Sequence, residues 1–320
     1  MLRSLSVIIP NYNGEKLLTQ FLPSVINALE TYKGEKELII VDDKSSDNSR
    51  EIMENFASAT PFIKNIYNSK NLGFSGTCNV GMYNSKGNIL CFLNNDVEVN
   101  LDFFQNFNYY FDLPSTFAVT ISGYSYIDRT PLDGAKLLDW KRGLPRFTGN
   151  IYPKKVKKDF LYESASVQGA YFFADRFKIL RLKGFDEIFS PYLIEDSDLA
   201  YRAIKSGWKI YYDPFTIAFH NLSSTIKREN SGHKKIIDIR NRIIFVLKNV
   251  TDKRLLFKFY LFLAFRLLTL STSYFKAIVQ ILKIKPELKK ARQANPRVLT
   301  DKFIFEQYTD SGIQKLWNCR

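Results

Sequence analysis

Short runs of β-branched and other apolar residues alternate along the first third of the chain with stretches of helical spacing. The apolar runs fall at 6–10, 38–41, 62–67 and 88–93, and the helical stretches near 15–31, 47–57 and 75–85. This βαβαβαβ alternation predicts an α/β fold with a mainly parallel central sheet flanked by helices. In open sheets of this kind ligands sit at the carboxyl ends of the strands. Here those ends are polar: Asn11-Tyr12-Asn13 after the first run, Asp42-Asp43 after the second and Asn94-Asn95-Asp96 after the fourth. A glycine-rich segment, Asn71-Leu72-Gly73-Phe74-Ser75-Gly76, follows the third. It matches neither the dinucleotide nor the P-loop glycine pattern, which argues against both of those sites.

Residues 123–159 are polar, basic and interrupted by Pro131, Gly134, Gly143, Pro145, Gly149 and Pro153, and read as a variable loop region near an acceptor. Beyond them the apolar pattern returns. Glu195-Asp196-Ser197-Asp198 opens a helix that Gly207 ends, and a strand over 208–212 follows. Three carboxyl groups at one helix start repel one another, which tends to raise the pKa of at least one and poise it as a base. The same residues are also compatible with an acidic helix start in which Asp198 pairs with Arg202. His220 closes the apolar run 216–219, either as a structural side chain or as a ligand if carboxylates converge on it.

Charge divides the chain. Residues 1–225 hold 25 Lys+Arg and 25 Asp+Glu, and residues 226–320 hold 21 and 7, so the whole net charge of +14 lies in the last 95 residues. We therefore divide the chain into an α/β region, 1–225, and a basic, amphipathic helical C-terminal region, 226–320. Residues 227–248 read as a basic helical stretch. From 254 to 284 there is no Gly or Pro. On one continuous helix Arg254, Lys258, Arg266, Lys276 and Lys283 would share an arc of about 120° beside a wide apolar face. That pattern suits a helix lying on an anionic membrane surface, with packing against the α/β region as the alternative. So much apolar surface argues against nucleic acid as the partner. Cys78, Cys91 and Cys319 form neither a CxxC spacing nor an even set, which favours a reducing compartment. The N-terminal apolar run is too short for a signal-peptide core, and no stretch approaches the length of a spanning helix, so a cytoplasmic protein is expected.

In order and spacing these segments resemble the family-2 glycosyltransferases of GT-A fold. The match runs through 6–13, 38–47, Asn71-Leu72-Gly73-Phe74 with Asn79 and Gly81, 92–96, Gly184-Phe185-Asp186-Glu187, 195–202 and His220. The last three segments are similar to the rhamnosyltransferase-like and galactofuranosyltransferase-like branch of bacterial surface polysaccharide synthesis, as is Arg240-Asn241-Arg242 of the basic stretch, which is expected to reach back toward the donor phosphates or an anionic acceptor. The resemblance implies an inverting transfer from a nucleotide-diphosphate sugar, with dTDP-rhamnose or a UDP-sugar preferred. The acceptor would be a glycan or lipid-linked saccharide, met peripherally at the inner face of the cytoplasmic membrane. It implies a donor site of Pro10, Asn11, Tyr12, Asn13, Asp42, Asp43, Gly73, Phe74, Asn79, Asn94, Asn95 and Asp96, in which Asp43 accepts from the pyrimidine imide. It implies Mg²⁺ or Mn²⁺ on Asp96 and His220, with Glu98 as a possible helper. Asn94 stands where the family carries the first acid of its metal motif, which weakens metal binding. Asp196 is the implied general base, with Glu195 and Asp198 as rivals or acceptor-orienting groups. Two other readings remain open: a non-catalytic nucleotide-sugar or glycan-binding protein of the same fold, and a sugar-nucleotide pyrophosphorylase-like enzyme. The latter lacks its glycine-rich triphosphate loop, and Asn11-Tyr12-Asn13-Gly14-Glu15 stands in its place.

Overall fold

The computed structural model describes residues 2–158, 160–222 and 231–318. Cys319 and the start of the 227–248 stretch lie outside the described residues. The amino-terminal half contains β1 (Leu5–Asn11), α1 (Glu15–Thr31), β2 (Lys36–Asp42), α2 (Ser49–Ala59), β3 (Ile63–Tyr67), α3 (Gly73–Tyr83) and β4 (Ile89–Leu93), then β5 (Val97–Val99) and β6 (Thr116–Ser125). Next come β7 (Pro131–Asp133), β8 (Ala135–Lys141), β9 (Leu144–Ile151), β10 (Tyr162–Glu163), β11 (Tyr171–Asp175), α4 (Arg176–Arg181), α5 (Glu195–Lys205) and β12 (Lys209–His220). The remainder is helical: α6 (Ser231–Asn249), α7 (Lys253–Leu268), α8 (Thr272–Lys283), α9 (Lys285–Ala294), α10 (Asp301–Gln307) and α11 (Asp310–Asn318).

The main sheet runs β10-β12-β6-β11-β4-β1-β2-β3. Strands β3, β2, β1 and β4 are mutually parallel, as are β6 and β12, while β11 enters antiparallel between β4 and β6. Val7, Ile8, Ile9, Leu38, Ile39 and Ile40 are all buried, because helices cover both faces of this sheet. That is why the strands read as unbroken apolar runs rather than alternating ones. Helix α1 contributes Leu18, Phe21, Leu22, Val25 and Leu29, spaced three and four apart, to one of these covers.

Two sequence expectations change. Residues 135–151 are a hairpin, not a loop: Arg142 (φ 51°) and Gly143 (φ 76°) form a two-residue turn, and Trp140 pairs with Pro145. Both turn residues are left-handed, as the hairpin turn that matches strand twist requires. The breakers Gly143 and Pro145 thus sit at a turn and at the start of a strand. The stretch 254–284 is two helices bent by 120° between Leu268 and Thr272. The wheel drawn through both therefore fails, and Arg266 turns inward, 5.3 Å above the rings of Phe262 and Tyr274.

The helical third is continuous with the sheet. Ile243, Ile244, Phe245 and Val246 of α6 share one buried cluster with Ile8, Leu90 and Phe92 of the sheet and with Leu199 and Ile204 of α5.

Candidate active site

Tight side-chain bonding holds together the polar rim at the carboxyl ends of β1, β2 and β4. Asn11 donates to Asp42 Oδ1 at 3.3 Å and accepts from Asn95 Nδ2 at 2.8 Å. Asp42 is wholly buried and also accepts from Ser45 N–H and from Arg50. Asn11, Asn95 and Asp42 thus brace the rim, and Asp42 has no surface to offer a donor. Asn13, with φ 49°, accepts from Ser46 N–H at 2.8 Å and forms the turn beside Pro10 and the exposed ring of Tyr12. Asp43 accepts from Asn68 Nδ2 and Leu72 N–H on Oδ1, and from Gly73 N–H at 2.9 Å on Oδ2. It therefore ties the glycine loop to the sheet, and Oδ2 keeps a second lone pair for a ligand.

Asn79 borders a cavity of about 700 Å³ together with Tyr83 and Phe185, and its side chain is engaged within the fold. Its amide donates to Phe185 O and Glu187 Oε1 and accepts from Phe185 N–H, so it pins the 184–187 segment onto α3. Gly184 (φ 68°) has no room for a side chain, since a Cβ there would lie 2.3 Å from Asn79 Oδ1. Phe74 packs edge-on against Phe185 at 5.9 Å and braces the same segment.

Asp96 and His220, 124 positions apart in sequence, meet where β5 pairs with β12, with Oδ1 and Nε2 3.2 Å apart. Both are buried, and His220 Nδ1 has no hydrogen-bond partner among the described residues. Two ligands about 2.1 Å from one ion at a right angle stand about 3.0 Å apart, so the pair fits adjacent positions on an octahedral Mg²⁺ or Mn²⁺. Among the described residues no group of three or more His, Cys, Asp or Glu side chains gathers for a metal. Glu98 does not join them, because it pairs with Arg129 at 2.8 Å. Asn94 donates its backbone N–H to Ala170 O at 2.8 Å, next to Gly169.

Gly169 N–H in turn donates to Asp196 Oδ2 at 3.2 Å, which brings the acid of α5 to the same end of the sheet as Asp96. Ser197 N–H donates to Oδ1 of Asp196. Asp196 faces a cavity of about 340 Å³ whose walls include Lys136, Asn150, Gln168 and Ser166. Burial raises its pKa, with the Ser197 donors opposing. Glu195 beside it is pushed up to about 8, first by burial and then by the Asp196 charge, and its Oε2 has no hydrogen-bond partner among the described residues.

Asp198 differs from its two neighbours. It is wholly buried and accepts from Lys248 Nζ at 2.8 Å, Arg202 Nε at 2.7 Å and Asn249 Nδ2 at 2.8 Å. Burial alone would raise its pKa, but Lys248 and Arg202 hold it below the usual range. It is a structural tie between α5 and α6, with no free lone pair directed at an acceptor.

The residue that sequence reasoning missed is Asn241. Leu193 (φ 73°) and Ile194 (φ 76°) enter α5 in consecutive left-handed conformations. The buried Asn241 amide donates to the carbonyls of Phe189, Tyr192 and Leu193, at 2.7 to 2.9 Å. Arg240 adds bonds to Ile188 O and Ser190 O. The Arg240-Asn241-Arg242 segment, expected to reach phosphates or an anionic acceptor, instead grips the loop that launches Glu195 and Asp196. Arg242 pairs with Asp238 and Pro145 O. The only sequence signal was the resemblance of this triplet to the same branch.

Known proteins share this fold. A crystal structure of GalNAc-T7 with UDP, GalNAc and Mn²⁺ superposes with a TM-score of 0.69 at 17% identity, over 99% of this chain and 58% of that one. S. aureus TarS 1-349 in complex with UDP-GlcNAc gives 0.58 at 17% identity, over 97% and 92%. At this identity they establish the shared fold. The minor teichoic acid biosynthesis protein GgaA of Bacillus subtilis is 37% identical over 93 residues, 28% of this chain. The chain spans 21% of that relative's length and about a third of others it matches. The profile described as "Glycosyl transferase family 2" matches residues 6–182, more than half of the 320. With that match this protein belongs to glycosyl transferase family 2.

Proposed function

We propose that the chain transfers a sugar from a nucleotide-diphosphate donor, dTDP-rhamnose or a UDP-sugar, to a hydroxyl of a glycan or lipid-linked saccharide in bacterial surface polysaccharide synthesis. The observation that carries this reading is the convergence of Asp196 on the Gly169–Asn94 connection beside the Asp96–His220 pair. One end of the site thus suits a diphosphate, and the other holds a carboxylate at the mouth of a polar cavity. The UDP-GlcNAc held by TarS and the teichoic acid role of GgaA support the donor and acceptor classes.

The acceptor lies in the cavity beneath Lys136, Asn150 and Gln168, with its hydroxyl against Asp196. As the hydroxyl oxygen bonds to the anomeric carbon, the bond from that carbon to the diphosphate oxygen breaks on the opposite face. The proton passes to the Asp196 carboxylate, the nucleoside diphosphate leaves, and the configuration inverts. A divalent ion on Asp96 and His220, when bound, neutralises charge on the departing diphosphate. Tyr12 offers an exposed ring for the base, and Asp43 fixes the loop that flanks it.

Asp196→Asn tests the assignment, because the amide keeps the shape and the Gly169 contact but accepts no proton. Expected are unchanged melting-temperature rises with UDP- and dTDP-sugars and a transfer rate lower by about 10²-fold or more. A variant with near-normal turnover removes Asp196 from the role.

A further inference from the structure

Helices α7 and α8 present two opposed faces. Phe259, Tyr274, Ala277 and Ile281 point inward and join the core cluster, and Phe262 meets Tyr274 edge-on at 5.8 Å, so the pair is firmly seated. The outward face is apolar and exposed: Phe257, Tyr260, Leu261 and Phe265 on α7, and Phe275 and Leu282 on α8. At 100° per residue, the outward positions of α7 from 257 to 268 cover an arc of about 140°. Where the two helices bend back on each other, the turn carries the most exposed large apolar side chains among the described residues, Leu268 at 81% and Leu270 at 85%. Isolated exposed leucines are ordinary, but a continuous apolar face ending in a protruding tip marks an interaction surface.

Charge selects the occupant. Residues 253–285 contain seven basic side chains and no acidic one. Lys258 borders the apolar face of α7, with Lys253 and Arg254 at its amino-terminal end, and Lys276 and Lys283 border that of α8. Self-association through this face would bring these five like charges of one copy towards the same five of another. An anionic surface with an apolar interior complements both features at once. No single helix among the described residues is long and apolar enough to cross a membrane. The 16 residues of α7 reach only about 24 Å, against roughly 30 Å of hydrocarbon.

We propose that the α7–α8 pair seats its tip, around Leu268 and Leu270, among the headgroups and upper acyl chains of an anionic lipid bilayer, with its lysines on the lipid phosphates. This attachment does not depend on the sugar chemistry. The β8–β9 turn rests on the same pair, since a Cβ on Gly143 would lie 2.5 Å from Phe262 Cβ. The hairpin that walls the Asp196 cavity is therefore carried by the membrane-facing helices.

Flotation of the full chain with phosphatidylcholine vesicles, with and without added phosphatidylglycerol, tests this. The wild type should float with the anionic vesicles, much less with phosphatidylcholine alone, and less as salt rises. Leu268→Asp combined with Leu270→Asp should cut the bound fraction roughly tenfold or more, because carboxylates are excluded from acyl chains. Lys258→Glu combined with Lys276→Glu should abolish the preference for anionic vesicles. Both variants should keep the wild-type melting temperature, since all four side chains are exposed. Equal flotation of wild type and leucine variant overturns the proposal. So does a wild type that ignores anionic vesicles, or one that forms a dimer which the leucine variant dissolves.

Discussion

Asn241→Ala is the most informative perturbation of the site, because Asn241 lies outside the proposed catalytic groups yet holds the loop that leads into them. Its two amide hydrogens serve three carbonyls of the 189–193 loop. At about 1 to 1.5 kcal/mol for each of the two amide hydrogens removed from these buried carbonyls, the loss is about 2 to 3 kcal/mol. Against it stands the strain of Leu193 and Ile194, each about 1 to 3 kcal/mol in the left-handed region. The two terms are of similar size, so without the clamp the turn relaxes and the first turn of α5 moves with it. A shift of about 1 Å in a catalytic group costs roughly 10²-fold in rate. The expected result is kcat lower by about that factor, donor KM within about twofold, and a melting temperature lower by about 3 to 5 °C. Leu193→Gly, added to Asn241→Ala, should recover part of kcat, because glycine adopts the left-handed conformation without penalty. Steady-state kinetics over both substrates reads the split between kcat and KM. A variant that melts lower yet turns over normally, or a glycine addition that restores nothing, refutes the argument.

Two further outcomes follow from the same geometry. Asp96→Asn and His220→Ala should each remove the Mn²⁺-dependent part of the melting-temperature rise given by UDP-sugars and weaken donor binding about tenfold or more. Rises equal to the wild type's would separate the pair from metal binding. Glu195, held at about 8 against 4.5 in an unfolded chain, binds its proton more tightly when folded. Its contribution is therefore fully present below pH 4.5 and is lost as pH rises towards 8, at up to about 1.4 kcal/mol per pH unit. Urea denaturation of Glu195→Gln between pH 5 and 8 should show a flatter decline than the wild type, and parallel curves would place the titration elsewhere.

The strands of the nucleotide half were legible because a sheet covered on both faces needs unbroken apolar runs, and Val7-Ile8-Ile9 and Leu38-Ile39-Ile40 supply them. The polar residues at their ends were legible for the same reason: each begins where an apolar run stops. Which of those residues face a ligand was not. Asp42 and Asp43 are adjacent in sequence, yet one is wholly enclosed by Asn11, Ser45 and Arg50 while the other holds a loop. Asp196 and Asp198 diverge in the same way, because Lys248, fifty positions later, claims only the second. The hairpin at 135–151 was hidden by its own turn chemistry, since Arg142-Gly143 and Pro145 look like loop residues until Trp140 and Pro145 are seen paired. The helical wheel through 254–284 failed because no glycine or proline announces the bend.

Helix α6 gives the enzyme an unusual dependence on its own far end. Asn241 fixes the entry to α5, Lys248 and Asn249 hold Asp198, and Ile243 to Val246 wedge between α5 and the sheet. The family profile stops at residue 182, short of every one of these fixings. A chain cut after His220 would retain each acid named in the mechanism and still lose the splint that aligns them, so the recognisable sequence of a glycosyltransferase and its working unit have different lengths.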